Sequence, residues 1–270
     1  MADNDVIPVV VTGATGRMGR ETVGRVLQQV DMKLVAAVGH ARHLGTDIGQ
    51  LSTGEPCGVV VTDQLEPALE LVAGTGVLVD FSVGSAVKET VLTAFRHKVA
   101  CVVGTTGVPA TDENELAQAA AGQHLLVSPN FALGAVLMMR FAREAAQYFK
   151  WAEIVELHHE RKLDAPSGTA MRTAEQMRKS RPDGFRTAGE GQEHLKGSRG
   201  GNLGGVRIHS VRMPGLVAHQ EVIFGGAGET LTIRHDAYAR ESYMPGVVLA
   251  IQRVRRVNGM VVGLENVLDL

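Results

Sequence analysis

The chain is poor in cysteine, in net charge and in long apolar runs, and each shortage closes a route. Its two cysteines, Cys57 and Cys101, lie far apart, lack metal spacing and build no disulfide framework. That usage fits a reducing compartment, so a cytoplasmic location is expected. Cys101 falls in the apolar run Val99–Val103, where a thiol is expected to be buried and structural. The net charge of −2 gives no footing for nucleic acid or an anionic membrane surface. No apolar stretch is long enough to span a bilayer. Residues Met1–Pro8 carry two Asp and no basic residue, unlike a signal peptide. HExxH and CxxC spacings are absent, and no internal repeat is visible. His158-His159-Glu160 is not a metal set, because neighbours along a strand point to opposite faces. No bound metal, nucleic acid or membrane is expected.

What remains is a globular chain of 270 residues with 44% apolar content, enough for about two domains of roughly 100–200 residues each. Near the start, the β-branched run Val9–Val11 reads as a buried parallel strand. Gly13-Ala14-Thr15-Gly16-Arg17-Met18-Gly19 follows at once, then a helical pattern over Glu21–Gln29 and a second strand over Leu34–Val38. Strand, glycine turn, helix, strand is a dinucleotide-binding unit: glycines let backbone N–H groups approach a pyrophosphate, and the helix start favours its charge. A glycine turn in a β/α protein without nucleotide is the plainer alternative. The second strand ends in Gly39-His40-Ala41-Arg42-His43, with no carboxylate to bind a ribose 2′-hydroxyl. His40, Arg42 or Arg17 can pair with a 2′-phosphate instead, so NADPH is expected to serve at least as well as NADH. Otherwise Arg42 and His43 belong to a solvated loop.

Strands are expected at Gly58–Thr62, Val77–Phe81, Ala100–Val103 and Leu125–Val127, alternating with helices at Glu66–Ala73, Ser85–His97 and Glu113–Ala121. Such alternation makes a parallel sheet, and ligands bind beyond the carboxyl ends of its strands. Asp80-Phe81-Ser82, Gly104-Thr105-Thr106 and Ser128-Pro129-Asn130-Phe131 all fall there. Each alone reads as a turn. Their shared placement makes them candidates to line a nicotinamide, with Phe81 and Phe131 offering flat apolar surface.

Further on, Asn130 stands where it would cap a helix over Phe131–Phe149, with Val136, Leu137, Phe141 and Ala145 on its apolar side. A strand over Ala152–His158 and a helix over Ala170–Arg178 follow, then a polar, glycine-rich segment, Arg181–Gly205, expected to be a long mobile loop. Strands at Val206–Arg212, Leu216–Phe224 and Glu229–His235 succeed one another, the last two joined by a hairpin turn at Gly225–Gly228. A helix over Ser242–Val254 and a short β-like run, Met260–Gly263, end the chain. The expected architecture is α/β: an N-terminal Rossmann-like parallel sheet plus a C-terminal α+β domain with a mixed, mostly antiparallel sheet. The expected division is 1–130 for the dinucleotide, with 240–270 packing back on it, and 131–239 for substrate binding and tetramerisation.

Between that first C-terminal strand and its helix lies Glu156-Leu157-His158-His159-Glu160-Arg161-Lys162-Leu163-Asp164-Ala165-Pro166-Ser167-Gly168-Thr169. Two histidines and a lysine beside a helix start combine a proton donor, a fixed positive charge and free amides, which suits a small anionic substrate. A solvated loop with ordinary charges is the bland alternative.

With these motifs the chain resembles the 4-hydroxy-tetrahydrodipicolinate reductase family over nearly its whole length. The resemblance rests on Gly13–Gly19, Asp80–Ser82, Gly104–Gly107, Ser128–Phe131 and above all the Glu156–Thr169 pattern. It implies an enzyme of diaminopimelate and lysine biosynthesis that reduces a cyclic imine dicarboxylate with NADPH or NADH and loss of water. It further implies a homotetramer and motion between domains. By position, the general acid is His158, and Lys162 stabilises developing negative charge. His159, Gly168 and Thr169 contact the substrate carboxylate. Gly13, Ala14, Thr15, Gly16, Arg17 and Met18, Gly104–Thr106 and Ser128, Pro129, Asn130 and Phe131 hold the cofactor. The chain departs from the family at Gly39-His40, where a typical bacterial member has an acid followed by arginine. Semialdehyde and homoserine dehydrogenases are the nearest rivals; they need a cysteine nucleophile or another lysine/aspartate arrangement, and Cys101 lies within a strand. A non-catalytic nucleotide sensor would need the glycine turn but not His158 and Lys162.

Overall fold

The structure, a computed structural model, describes residues 6–188 and 192–268. It divides into two compact units: Met1–Phe131 with Tyr243–Leu270, and Ala132–Ser242.

The first unit is built on strands β1 (Ile7–Thr12), β2 (Met32–Val38), β3 (Val61–Thr62), β4 (Val77–Asp80), β5 (Ala100–Val103) and β6 (His124–Val127), completed by β12 (Gly259–Val262). Their order is β12-β6-β5-β4-β1-β2-β3, and every pairing is parallel. Helices α1 (Arg17–Leu27), α2 (Ile48–Ser52), α3 (Leu65–Glu70), α4 (Gly84–Arg96), α5 (Ala110–Ala119) and α8 (Met244–Arg253) belong to the same unit. The apolar runs explain the sheet: Val9, Val10, Val11, Val77, Leu78, Val79 and all four residues of β5 are buried, as strands covered on both faces require. Cys101 is among them, and burial pushes its thiol pKa up, so it packs as a small hydrophobe.

Two local expectations are corrected here, and one helix is added. Helix α1 starts at Arg17 rather than Glu21, because Gly16 is already its N-cap and Gly19 packs against the Gly13 carbonyl. The strand expected over Gly58–Thr62 pairs with β2 through Val61 and Thr62 alone; Val60 instead forms an antiparallel bridge to Asp47. That aspartate nucleates an unexpected helix, α2: its carboxylate accepts from the amides of Gly49, Gln50, Cys57 and Gly58.

The second unit pairs α6 (Leu133–Ala145) and α7 (Gly168–Ser180) with a sheet of β7 (Trp151–His158), β8 (Gly201–Leu203), β9 (Val206–Arg212), β10 (Ala218–Gly226) and β11 (Glu229–Ala237). The order is β11-β10-β7-β9-β8; β7 and β9 run parallel and the other pairs antiparallel. Period-2 alternation along β7 sends Ala152, Ile154 and Glu156 to one buried face, where Ile208, Val222 and Phe224 join them. The opposite face leaves Val155, Leu157, Val211 and Ile223 half-buried. The hairpin turns at Ala227-Gly228, between the paired residues Gly226 and Glu229, with Gly228 at positive φ.

Here too the expectations need correction. Ala132, not Asn130, is the N-cap of α6, so no side chain caps that helix. Its buried stripe is Ala135, Val136, Met138, Met139 and Ala142, whereas Phe141 is 47% exposed. The helix turns about 100° per residue, and the i, i+3, i+4, i+7 set that meets the sheet begins at Ala135, which carries Phe141 off the stripe. The segment Arg181–Gly205 is not a free loop throughout. Arg181 donates to the carbonyls of Gly184 and Gln147, the Arg186 amide donates to Lys150, and Gly201–Leu203 pairs with β9. Residues 189–191 of that stretch lie outside the described residues.

Candidate active site

In the first unit, the parallel sheet brings the ends of β1, β2, β4, β5 and β6 to one edge. The turn after β1 is tight. Gly13 has φ +67°, and a Cβ there would run into the Phe81 carbonyl; a Cβ on Gly19 would run into the Gly13 carbonyl. Ala14 and Gly16 donate their amides to Val38 and Gly13 at 3.0 and 2.9 Å. Thr15 is buried and its hydroxyl accepts from the His40 amide at 3.2 Å, fastening the end of β2 to the glycine turn. Arg17 and Met18 open α1. This backbone-lined corner at a helix start has the chemistry of a pyrophosphate cradle, which a Cβ would fill.

A cluster of basic side chains sits at the end of β2. His40 caps the short helical turn Ala41–His43 through its Nδ1, which accepts from the Arg42 amide. Arg42 Nε bonds His43 Nε2 at 3.0 Å. Desolvation, and then the charges of Arg42, Arg20 and His40, push the His43 pKa down, so these groups share one neighbourhood.

Asp80 organises the neighbouring strand ends. Fully buried, its carboxylate accepts from Thr12 Oγ1 at 2.5 Å and Thr105 Oγ1 at 2.6 Å, linking β1, β4 and β5. The Gly104 amide donates to the Asp80 carbonyl at 2.9 Å, and a Cβ on Gly104 would enter the Phe81 ring. Phe81 in turn meets Phe131 edge-on, with centroids 5.9 Å apart. Ser128 is buried and bridges its turn by donating to the Asn130 carbonyl, while Thr106 and Pro129 are exposed.

In the second unit, β7 ends at His158 and α7 begins at Gly168. Glu156, buried completely, lies at the centre of this turn. Its Oε2 bonds His158 Nδ1 at 2.5 Å and accepts from Arg212 Nη1 at 2.9 Å. Its Oε1 accepts from Arg212 Nη2 at 2.7 Å and from the Ser167 amide at 3.1 Å. Burial alone would raise the Glu156 pKa, but the hydrogen bonds from His158, Arg212 and Ser210 outweigh it and hold the carboxyl at about 2. Arg212 Nη2 also donates to the Asp164 carbonyl at 2.8 Å. Lys162 Nζ is held by both Asp164 carboxylate oxygens, at 2.8 and 2.9 Å, and this lysine keeps the Asp164 carboxyl below its ordinary pKa. Ser167 caps α7 by accepting from the Ala170 amide at 3.2 Å; Pro166 stands just before it. The cap leaves Gly168 and Thr169 as the first two helical amides, and a Cβ on Gly168 would meet nothing within 4 Å. His159 Nδ1 is buried without a hydrogen-bond partner among the described residues.

His158, His159, Lys162, Gly168 and Thr169 therefore fall within one turn, and Gly13–Met18, His40, Phe81, Gly104–Thr106 and Ser128–Phe131 line one sheet edge. The residues that sequence reasoning left without a role are Glu156, Arg212 and Thr12, and Asp80, named there only among residues lining a nicotinamide, binds Thr12 and Thr105. Spacing by two along β7 could have joined Glu156 to His158. Arg212 required the β7–β9 register, which sets it opposite His158. Among the described residues no group of three or more His, Cys, Asp or Glu is placed to hold a metal. None of their helices is long and apolar enough to cross a membrane.

A parallel nucleotide-type sheet with a glycine corner, joined in one chain to a mixed-sheet unit with a histidine–lysine turn, defines a nicotinamide-dependent oxidoreductase. Residues 7–131 match the family described as Dihydrodipicolinate reductase, N-terminus, and residues 134–268 match Dihydrodipicolinate reductase, C-terminus. The chain belongs to the dihydrodipicolinate reductase family. It is 48% identical to the 4-hydroxy-tetrahydrodipicolinate reductase of Desulfitobacterium hafniense over 97% of this chain and 99% of that one. The Moorella thermoacetica enzyme of the same name is also 48% identical, over 97% and 98% of the two chains. A dipicolinate-bound dihydrodipicolinate reductase from Paenisporosarcina sp. TG-14 superposes with a TM-score of 0.85 at 40% identity, covering 97% of this chain and 100% of that one. An amine dehydrogenase from Mycobacterium smegmatis, at 15% identity and a TM-score of 0.68, shares the fold alone.

Proposed function

We propose that His158 and Lys162 carry the chemistry of this family member and that the two sets of residues above hold its two ligands. The reaction is the NAD(P)H-dependent reduction of 4-hydroxy-tetrahydrodipicolinate to tetrahydrodipicolinate with loss of water, in diaminopimelate and lysine biosynthesis. The glycine corner fits a dinucleotide, with Gly13, Ala14, Thr15, Gly16, Arg17 and Met18 at the pyrophosphate and Phe81, Gly104, Thr105, Thr106, Ser128, Pro129, Asn130 and Phe131 towards the nicotinamide. The bound cofactor supplies a hydride. Hydride addition leaves an electron-rich ring carbon that needs a proton, and His158 donates it. Lys162 offers its ammonium to the negative charge that builds up in the transition state. The amides of Gly168 and Thr169, at the positive end of α7, hold a substrate carboxylate with His159.

One observation supports these roles above the rest: acid, ammonium and helix-start amides all lie between His158 and Thr169, and a single buried carboxylate braces that stretch. The test is initial-rate NADPH oxidation with freshly generated substrate. His158→Gln and Lys162→Met are each expected to lower kcat by roughly 10²–10⁴-fold with the fold unchanged. Near-normal turnover in either variant removes that residue from the mechanism. The protein works in the cytoplasm as a homotetramer in this reading. Supporting the tetramer, the second sheet's open face sets Val155 between Glu221, paired with Arg234, and His209, paired with Glu153, with Leu157 beside Val211 further along the strands.

A further inference from the structure

Glu156 touches no position assigned to substrate or cofactor, yet donors converge on it from His158, both terminal nitrogens of Arg212, the Ser167 amide and Ser210. A carboxylate held ionised at this depth is acceptor-only, so the shared proton of the Glu156–His158 bond belongs to the imidazole Nδ1. The same carboxylate fixes the backbone where α7 begins. Through Arg212 it also reaches the carbonyl of Asp164, the residue whose side chain holds Lys162. Period-2 spacing puts Glu156 and His158 on one face of β7, and the β7–β9 register brings Arg212 to that face.

We propose that Glu156, clamped by Arg212, is the positioning residue of the reduction: it accepts the Nδ1–H of His158 so that Nε2 is the nitrogen that delivers the proton, and it sets the start of the carboxylate-holding helix. The proposal rests on the reading of His158 as the acid. In the step itself the His158 imidazolium breaks its Nε2–H bond, the ring carbon left by hydride addition gains the C–H bond, and the neutral imidazole keeps Nδ1–H on Glu156. The ring bonds Glu156 on its own strand, Arg212 on β9 shares that carboxylate, and the pair Lys162–Asp164 belongs to the following turn. On β10 the residue opposite is Ala218, and the neighbouring His219 is bonded to Asp236. Glu156 is thus the carboxylate that stabilises the imidazolium directly.

Glu156→Gln keeps the volume and removes the charge. Its one acceptor oxygen is claimed by Arg212, which turns the amide NH₂ towards His158 and disfavours the imidazolium. The expected result is a kcat lower by about 10²-fold with KM changed little, and a falling limb of the kcat–pH profile displaced to lower pH by about one unit. A purely structural role would lower the folded fraction, read by circular dichroism, and leave the pH limb in place; that outcome overturns the proposal. Nitrogen-15 NMR of the histidines, with His158 assigned by loss of its signal in His158→Gln, tests the wild-type protein directly. Neutral His158 is expected as the Nδ1–H tautomer; a dominant Nε2–H tautomer overturns the proposal even if Glu156→Gln does not fold. If His158→Gln keeps its turnover, the acid reading fails instead, and the wild-type tautomer still decides whether Glu156 sets the ring.

Discussion

A carboxylate with no exposed surface must find its counter-charge inside the protein, and Glu156 finds it in Arg212, with His158 as a further hydrogen-bond partner. Its pKa falls from 4.5 to about 2 on folding. The stabilisation it brings is therefore complete above about pH 4.5 and is lost as pH drops through 2. Urea unfolding between pH 5 and 2 is expected to show the wild type losing stability steeply, with a flatter dependence in Glu156→Gln. Equal slopes in the two proteins would contradict this. Glu156→Ala leaves the part-buried Arg212 without its counter-charge, at an expected loss of about 3 kcal/mol. At this scale the stretch from His158 to Thr169 stood out in the sequence, because its residue types and spacing carry chemistry on their face. Arg212 was not, because it lies 54 residues beyond His158 in sequence and meets Glu156 only when β9 pairs with β7.

The β1–α1 turn depends on Gly13 twice over, for its positive φ and for the missing Cβ that would strike the Phe81 carbonyl. Gly13→Ala is expected to cost about 1–3 kcal/mol of stability and to weaken NADPH binding at least about tenfold by calorimetry. Unchanged affinity would mean that the corner does not hold the pyrophosphate. The loop after β2 makes a separate prediction. Arg20, His40, Arg42 and His43 cluster where an acidic residue would repel a 2′-phosphate. The kcat/KM for NADPH is expected to equal or exceed that for NADH, and Arg42→Ala should reduce the NADPH value selectively. A preference for NADH in the wild type would sink the phosphate-pairing idea. Elements with one dominant signal, such as β5 and β9, were legible to the residue. Helix starts were not: Gly16 and Ala132 act as N-caps without a capping side chain, so composition did not mark them. Helix α2 was missed because it is only five residues long and Asp47 also ties it to the amides of Cys57 and Gly58 beyond it.

At the scale of the whole molecule, the second sheet has one face covered within its unit and one face open, with Val155, Leu157, Val211 and Ile223 half-buried on the open side. Such a mixed apolar and charged surface suits association between copies of the chain. Sedimentation equilibrium is expected to give four times the chain mass of 28.7 kDa, and Leu157→Lys should lower it. A monomeric wild type would contradict the tetramer.

The sequence by itself marked the α/β class, the glycine corner and the Glu156–Thr169 turn, because each is a local pattern in which backbone freedom, charge and hydrophobic period stand side by side; the reductase activity came with the family resemblance those motifs carry. Tertiary structure alone decided the β12-β6-β5-β4-β1-β2-β3 order, the Asp80 link across three strand ends and the Arg212–Glu156–His158 network. Those depend on strand register, and register is fixed by the packing of both sheet faces at once rather than by any single stretch of chain.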